Sequence, residues 1–297
     1  MPEGTRLNKF LASCGVGSRR ACDAMVQDGR VEINGKTCLN PAQRVEPGDF
    51  VRADGKRVQE KETNTVMFYK PRGYVCSRED ELGRDTIYTI LPTILKHLHH
   101  VGRLDRDSEG LLILTNDGDL SQALMHPSKL VEKEYLVTSN QPVLNEHLDL
   151  FKSGIFVEKT RMRAKEVTRI SSRRYRIVLE TGLKRQIRMM FKALGYQVQK
   201  LVRVRIGMVE LGDLPEGAWV PIDEKTIALL QKNPKPRAER RPAVKAAKKA
   251  AKKTGKKTLT ARPTAPAKPS RRSLTDSRPP SARGVGKKTA KRAPKKS

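Results

Sequence analysis

Residues 102–110 read Gly-Arg-Leu-Asp-Arg-Asp-Ser-Glu-Gly, and residues 111–114 continue as Leu-Leu-Ile-Leu. The first segment carries acids at alternate positions, Asp105, Asp107 and Glu109, between two glycines. An aliphatic run this short, beginning next to a glycine, indicates a buried strand rather than a long helix. The pattern therefore predicts a charged loop that leads into the core of a sheet, where carboxylates can act on a substrate.

This loop is open to three other interpretations. A calcium site needs a glutamate at the twelfth loop position, but counting from Asp105 that position is Asn116, and the flank has the pattern of a strand. A glycoside hydrolase would use Asp105 with Asp107 or Glu109 as acid and base, a pair defined by a spatial separation that neighbouring positions do not establish. An arginine–carboxylate network that only stabilises a surface turn also fits the spacing. We exclude calcium, and spacing alone leaves the other two open.

The beginning of the chain predicts two short helices followed by a small sheet. Apolar residues from Leu7 to Leu11 are spaced as one face of a helix, and Ser18 is a suitable N-cap for a second helix. An Asn-Gly pair then follows an alternating segment, which indicates a hairpin. We predict a compact module over residues 5–55 and, from a composition rich in Lys, Glu and Gln, a linker over residues 56–65.

A second domain, residues 66–232, alternates short strands with a few helices. Strand patterns precede residues 70–73 and recur as far as Ile222, whereas helical patterns cover residues 93–100 and a segment that begins at Leu183. Strands that follow one another through hairpins indicate an α+β fold with a mixed, mainly antiparallel sheet, not a doubly wound one. The helix predicted from Leu183 has a basic stripe that comprises Arg185, Arg188 and Lys192.

Positive charge is concentrated at the C-terminal end of the chain. The net charge is +29, of which residues 233–297 carry +21, with no aromatic residue and half of the 18 prolines. A segment of this composition cannot bury a core, so we predict a disordered polybasic tail. Such a tail binds the phosphate backbone of RNA or DNA without reading its sequence.

The sequence does not indicate a membrane or metal site. No stretch approaches the length of a membrane span, and the N-terminus lacks the apolar run of a signal peptide, so we expect a cytoplasmic protein without a membrane partner. The four cysteines have no zinc-ligand spacing, which predicts reduced thiols. His97, His99 and His100 form a cluster, but no further Cys or His is near it, and we predict no metal there.

Four motifs follow one another along the chain. They are Lys-Pro-Arg-Gly at residues 70–73, Gly-Arg-Leu-Asp-x-x-Ser-x-Gly-Leu-Leu at residues 102–112, Lys-Glu-Tyr at residues 133–135 and Gly-Leu-Lys-Arg-Gln-Ile-Arg at residues 182–188. In this order they resemble the motifs of the RNA pseudouridine synthases of the RsuA/RluF family. The N-terminal module in turn resembles the alpha-L RNA-binding domain shared with ribosomal protein S-four, through residues 6–20 and the Gly-Arg-Val-x-Ile-Asn-Gly that follows.

The resemblance implies a reaction and a role for each of four residues. It makes Asp105 the single essential nucleophile of a uridine isomerisation that needs no cofactor, and it leaves open whether Asp105 attacks the sugar or the base. It implies that Tyr135 is a platform for the extruded base, that Arg188 pairs with Asp105, and that Arg103 fills the gap left by that base or contacts a flanking phosphate. Met189 is a departure, because many relatives carry an arginine there.

The resemblance also implies RNA as the partner. Basic residues at helix ends and turns of the N-terminal module would bind structured RNA, namely Arg6, Lys9, Arg19, Arg20, Arg30 and Lys36. The RluF branch is the most similar, which implies large-subunit ribosomal RNA as a substrate, with a transfer RNA as a further candidate, for an enzyme that acts as a monomer. The rival hypothesis is a non-catalytic RNA-binding or ribosome-assembly protein, but it leaves the motifs of the second domain without a purpose.

Overall fold

Two short helices and a small sheet form the N-terminal module in the computed structural model, which describes residues 4–234. Its elements are β1 (Thr5–Arg6), α1 (Leu7–Ser13), α2 (Arg19–Gln27), β2 (Val31–Ile33), β3 (Lys36–Thr37), β4 (Arg44–Val45), β5 (Val51–Ala53) and β6 (Lys56–Arg57). Strands β3, β2, β5 and β6 form one sheet in that order, and β1 pairs with β4. The predicted disordered tail lies outside the described residues from position 235 onward.

Apolar side chains of α1 and α2 form a small core with this sheet. Leu7, Leu11 and Val26 are fully buried, and Ser18 Oγ accepts a hydrogen bond from Ala21 N at 3.2 Å. Both predicted helices and the predicted N-cap are therefore confirmed. The sheet also continues into the segment predicted as a linker, because a turn with positive φ at Asp54 and Gly55 leads the chain into the edge strand β6.

One large sheet carries the second domain. The strands of this domain are β7 (Thr65–Lys70), β8 (His99–Val101), β9 (Glu109–Thr115), β10 (Lys133–Ser139), β11 (Ile155–Val157), β12 (Thr160–Met162), β13 (Glu166–Arg169), β14 (Arg174–Leu179), β15 (Val198–Ile206), β16 (Val209–Glu210) and β17 (Trp219–Pro221). Its helices are α3 (Ile87–Ile90), α4 (Gly118–Met125), α5 (Asn145–Ser153), α6 (Gln186–Ala193) and α7 (Glu224–Leu230), with 3-10 turns at Thr93–Leu95 and Pro127–Lys129.

The strand order of the main sheet is β13-β14-β10-β15-β9-β7-β17, with β16 beside β15 and β8 beside β9. The separate hairpin β11–β12 lies outside this sheet. Every pairing is antiparallel except that of β15 with β9. All seven residues of β9 are buried, as expected for a strand at the centre of a sheet. The predicted α+β fold with a mixed, mainly antiparallel sheet is confirmed.

Two predicted helices differ from the structure. The helix predicted over residues 93–100 is a single 3-10 turn followed by strand β8, because the chain there pairs with the end of β9. The helix predicted from Leu183 begins only at Gln186, since Arg185 has φ 52° and cannot continue a right-handed helix. In both cases a tertiary contact or a local turn decides against the sequence pattern.

Gly110 permits the close approach of β15 to β9. Its φ is +111°, and a Cβ atom at this position would overlap the backbone carbonyl oxygen of Arg203 on β15. Arg203 in turn donates from Nε to the carbonyl oxygen of Leu111 at 2.7 Å. The single parallel pairing of the sheet, beside the charged loop, therefore depends on a residue without a side chain.

We expect Gly110→Ala to destabilise the fold by roughly 3 kcal/mol or more, because alanine meets both the positive φ and the carbonyl of Arg203. Gly118→Ala is the control, since nothing lies within 4 Å of a Cβ there and its φ is ordinary. Urea unfolding followed by circular dichroism measures both. Equal stability of the two variants would contradict the close approach.

Candidate active site

The loop between β8 and β9, residues 102–108, is held by backbone contacts. Ser108 N donates to Asp105 O at 3.0 Å, which closes a turn within the loop. Gly73 N donates to Arg106 O at 2.7 Å, and Arg106 Nε donates back to Gly73 O at 3.1 Å. The loop that follows β7 thus holds the loop that precedes β9.

Lys70, the last residue of β7, is hydrogen-bonded to the backbone of the same loop. Its side chain is fully buried, and Nζ donates to Ser108 O at 2.8 Å and to Pro71 O at 2.9 Å. Burial lowers the pKa of Lys70, although the neighbouring Cys76 and the acids of the loop act in the opposite direction. A lysine is rarely fully buried, so its position here indicates that the loop backbone must be fixed.

Asp107 receives two arginines from the region of α6. Arg185 contacts it with both prongs, Nη1 to Oδ1 at 3.0 Å and Nη2 to Oδ2 at 3.2 Å, and Arg188 Nε lies 3.2 Å from Oδ2. The Arg188 contact is an ion pair without hydrogen-bond geometry. Burial by itself would raise the pKa of Asp107, but the hydrogen bond from Arg185 and the charges of both arginines outweigh it and hold the pKa below its ordinary value.

Arg188 also holds the backbone of the loop. Its side chain is 11% exposed, and it donates to Asp107 O at 2.8 Å and to Val198 O at 2.9 Å, with Ser108 Oγ at 3.4 Å. Burial lowers the pKa of Arg188, and the charge of Asp107 acts against that shift. The guanidinium therefore joins the loop, α6 and the start of β15.

The carboxylate of Asp105 is left open. It is 29% exposed, accepts no hydrogen bond from residues 4–234, and has its closest cation at 3.9 Å, Nη1 of Arg185. The predicted direct pair of Arg188 with Asp105 is wrong, because Asp107 occupies the guanidinium of Arg188. The charge of Asp105 still acts on Arg188, because it opposes the lowering of the Arg188 pKa that burial causes.

Two further predicted site residues are Arg103, which lies in this loop, and Tyr135, which lies on strand β10. Tyr135 is half-buried on β10 and packs against both the core cluster that includes Phe191 and the cluster that includes Leu104 of the loop. Arg103 is exposed, and no carboxylate among the described residues pairs with it. Tyr135 thus bridges the two halves of the sheet, while Arg103 is available to a ligand.

Comparison with known proteins assigns the family. The model of the family "RNA pseudouridylate synthase" matches residues 64–193, and that of the S4 domain matches residues 5–51. The dual-specificity RNA pseudouridine synthase RluF of Escherichia coli (strain K12) is 36% identical over 245 residues, which cover 81% of this chain and 83% of the relative. The chain belongs to the RNA pseudouridylate synthase family. It is therefore an RNA-modifying isomerase, and the predicted resemblance is confirmed.

Two other relatives support the same assignment. The ribosomal large subunit pseudouridine synthase B of Vibrio cholerae is 34% identical over 253 residues, which cover 82% of this synthase and 79% of the relative. A crystal structure of a pseudouridylate synthase is similar to this fold with a TM-score of 0.57 and 31% sequence identity, covering 76% of this chain and 100% of that one. Both domains of the synthase are thus found together in its relatives.

The basic residues predicted to bind RNA occupy different environments in the synthase. Arg6, Arg19, Arg20 and Lys36 are exposed. Arg30 is engaged by both prongs with Asp54 at 2.7 Å, and Lys9 Nζ lies 2.7 Å from Asp119 of α4 in the second domain. The exposed four are free of carboxylate partners within the described part of the chain, whereas Lys9 and Arg30 would have to exchange a protein partner for a phosphate.

Sequence reasoning missed three residues of the synthase's site. Lys70 and Arg185 lie within quoted motifs, but nothing in their spacing distinguishes a buried or ion-paired side chain from a solvated one. Asp107 was weighed as an acid of a glycosidase pair or as part of an arginine–carboxylate network at a surface turn, but its contact with Arg185 depends on folding across 78 residues. Within residues 4–234 no cluster of His, Cys, Asp or Glu could hold a metal ion, and no helix there could cross a membrane.

We expect Asp107→Asn to lower the free energy of unfolding by roughly 1 kcal/mol at neutral pH, after allowance for solvent screening, because two arginines lose their charge partner. Asp105→Asn should change it by less than about 0.5 kcal/mol. The folded pKa of Asp107 lies below its ordinary 3.8, so its contribution is present above that pH and is lost as the pH falls through the folded pKa. Urea unfolding at pH 7 and at decreasing pH checks this, and an equal loss in both variants would contradict it.

Proposed function

We propose that this synthase isomerises a specific uridine of large-subunit ribosomal RNA, with Asp105 as the nucleophile. The observation that carries the proposal is the open carboxylate of Asp105, which accepts no hydrogen bond from residues 4–234. The loop around it is held in place, because the backbone oxygens of Asp107 and Ser108 accept hydrogen bonds from buried or nearly buried cations. The names of the relatives support the target, since one is a ribosomal large subunit enzyme and another has dual specificity.

The reaction breaks the glycosidic bond of uridine, turns the base and joins it to the sugar through a ring carbon. No atom is gained or lost, so neither an oxidant nor a group donor is required. A carboxylate can start this sequence by attacking either the sugar or the pyrimidine ring. Asp105 suits either attack, because a nucleophile already engaged in hydrogen bonds would have to break them first.

Arg188 acts in this proposal as a positioning residue. Its two donations to backbone oxygens of Asp107 and Val198 hold the loop against α6 and β15, and its charge stays near the reacting carboxylate without neutralising it directly. Arg185 lies between both aspartates, 3.0 Å from Asp107 and 3.9 Å from Asp105. Preorganised cations of this kind stabilise charge that develops during a reaction.

Tyr135 and Arg103 would handle the extruded nucleotide. A uridine stacked in RNA must leave the stack before its glycosidic bond can be reached, and a flat side chain beside the pocket can then hold it. The half-buried Tyr135 fits this requirement, because its ring is fixed by two core clusters. Arg103 can fill the gap that the extruded base leaves, or contact a flanking phosphate, because it is exposed and lies two residues before Asp105.

The remaining parts of the chain would bind the RNA. The exposed Arg6, Arg19, Arg20 and Lys36 suit phosphate contacts of the S4 domain, and the basic tail would add affinity without sequence specificity. We also propose a transfer RNA as a second substrate and action as a cytoplasmic monomer.

The rival hypothesis of a non-catalytic RNA-binding protein is less economical. A binding protein gains nothing from a fully buried lysine and a buried arginine that together fix one loop. Such burial costs desolvation energy, which is understandable where a reacting group must be held in place.

Mapping of pseudouridines by chemical sequencing tests the proposed target. Ribosomal and transfer RNA from cells with and without this gene should differ, with a large-subunit uridine modified only when the gene is present. Reintroduction of the gene is the control and should restore the modification. Identical ribosomal RNA maps in the two strains would contradict the proposed substrate.

A further inference from the structure

Phe156 on β11 is 76% exposed, more than any other large apolar side chain among residues 4–234. Its neighbours in the strand, Ile155 and Val157, pack on the core cluster of the second domain, and Met162 of β12 is buried. Because side chains alternate along a strand, Phe156 is directed away from that core. An exposed aromatic ring of this kind is a candidate contact surface.

The hairpin that carries Phe156 has a tight turn and is hydrogen-bonded to α5. Its two turn residues, Glu158 and Lys159, both have positive φ, 48° and 65°, as in the tight two-residue turns that match strand twist. Arg161 lies opposite Phe156 in the register and donates to Ser153 O at 2.6 Å, which fastens the hairpin to the end of α5. The ring therefore lies on a paired strand that is fastened to α5, not on an irregular loop.

Two successive contacts, through the start of α6, connect this hairpin to the loop of residues 102–108. Gln186 Nε2 donates to Arg163 O at 2.9 Å, just after β12, and Gln186 is the buried first residue of α6. The preceding residue, Arg185, binds Asp107 and approaches Asp105. One hydrogen bond therefore connects the residue that follows the hairpin to the start of α6, next to Arg185.

The charge around the ring identifies its occupant. Lys159, Arg161 and Arg163 are exposed on this hairpin or directly after it, against a single acid, Glu158. A second protein surface would need apolar partners, whereas an exposed ring among cations matches an unpaired nucleotide, whose base stacks and whose phosphate is negative.

We propose that the Phe156 hairpin is a base platform for the substrate RNA. An unpaired base near the target uridine stacks on Phe156 while Lys159 and Arg163 contact the adjoining phosphates. This proposal rests on RNA being the substrate and adds a contact outside the catalytic pocket. It gives the enzyme affinity for a strand that is already opened, which is the form in which a uridine can be extruded.

The test compares Phe156→Ala, Phe156→Tyr and the control Ile94→Ala, which removes another highly exposed apolar side chain (70%). The probe is protein-free large-subunit ribosomal RNA from cells that lack the gene. Phe156→Ala should weaken RNA binding in gel-shift titrations roughly tenfold, as expected for loss of one stacked base. The enzyme concentration that gives the half-maximal single-turnover rate should rise by the same factor. Its saturating rate should stay within about twofold of the unsubstituted enzyme, and the tyrosine and Ile94 variants should match that enzyme.

Three outcomes would overturn the platform. The first is unchanged RNA binding by Phe156→Ala, and the second is a loss of RNA binding in Phe156→Tyr equal to that in Phe156→Ala. The third is a change from dimer to monomer in sedimentation of Phe156→Ala, which would account for the loss and show that a second copy of the chain is the occupant. Absence of turnover by the unsubstituted enzyme would count against the proposed substrate only, because the binding titration still measures the effect of Phe156.

Discussion

The two-arginine contact at Asp107 is the interaction on which the site depends. It joins the loop before β9 to the start of α6, residues that are 78 positions apart in the chain. Arg188 is nearly buried and loses hydration, but it regains contacts with one carboxylate and two backbone oxygens. Removal of Asp107 would leave the nearly buried Arg188 without its carboxylate partner, so these two residues depend on each other.

This unit separates structural acids from the reacting one. Asp107 binds the arginines near the end of the loop, while Lys70 donates a hydrogen bond to the loop backbone at Ser108. The carboxylate of Asp105 can then remain without a hydrogen bond from residues 4–234, and partly exposed, without weakening the loop. The same residue type thus performs two tasks two positions apart, and the difference between them comes from neighbours that the local sequence does not contain.

Local patterns predicted the fold where local forces decide it. The buried run after Gly110 became a central strand, the N-cap at Ser18 was confirmed, and the α+β class followed from the succession of hairpins. The errors arose where distant segments meet. His99 belongs to a strand only because β9 is beside it, and the helix from Leu183 starts late because Arg185 turns left-handed to reach the catalytic loop.

The candidate site was predictable to the same extent. The motifs indicated Asp105 and Arg188 as neighbours, which they are, but the direct pair was wrong, because a pair requires the actual direction of each side chain. Lys70 was missed altogether, since a lysine before proline and arginine resembles ordinary surface charge. No periodicity distinguishes a fully buried ammonium group that binds two carbonyls from a solvated one.

The central claim is that the open carboxylate of Asp105 carries the chemistry. Single-turnover isomerisation of large-subunit ribosomal RNA by Asp105→Asn tests it most directly, with Asp149→Asn on the exposed face of α5 as the control. Asp105→Asn should lose at least three orders of magnitude in rate with RNA binding retained, because the amide keeps the volume and removes the nucleophile. A rate within tenfold of the unsubstituted enzyme would contradict the account.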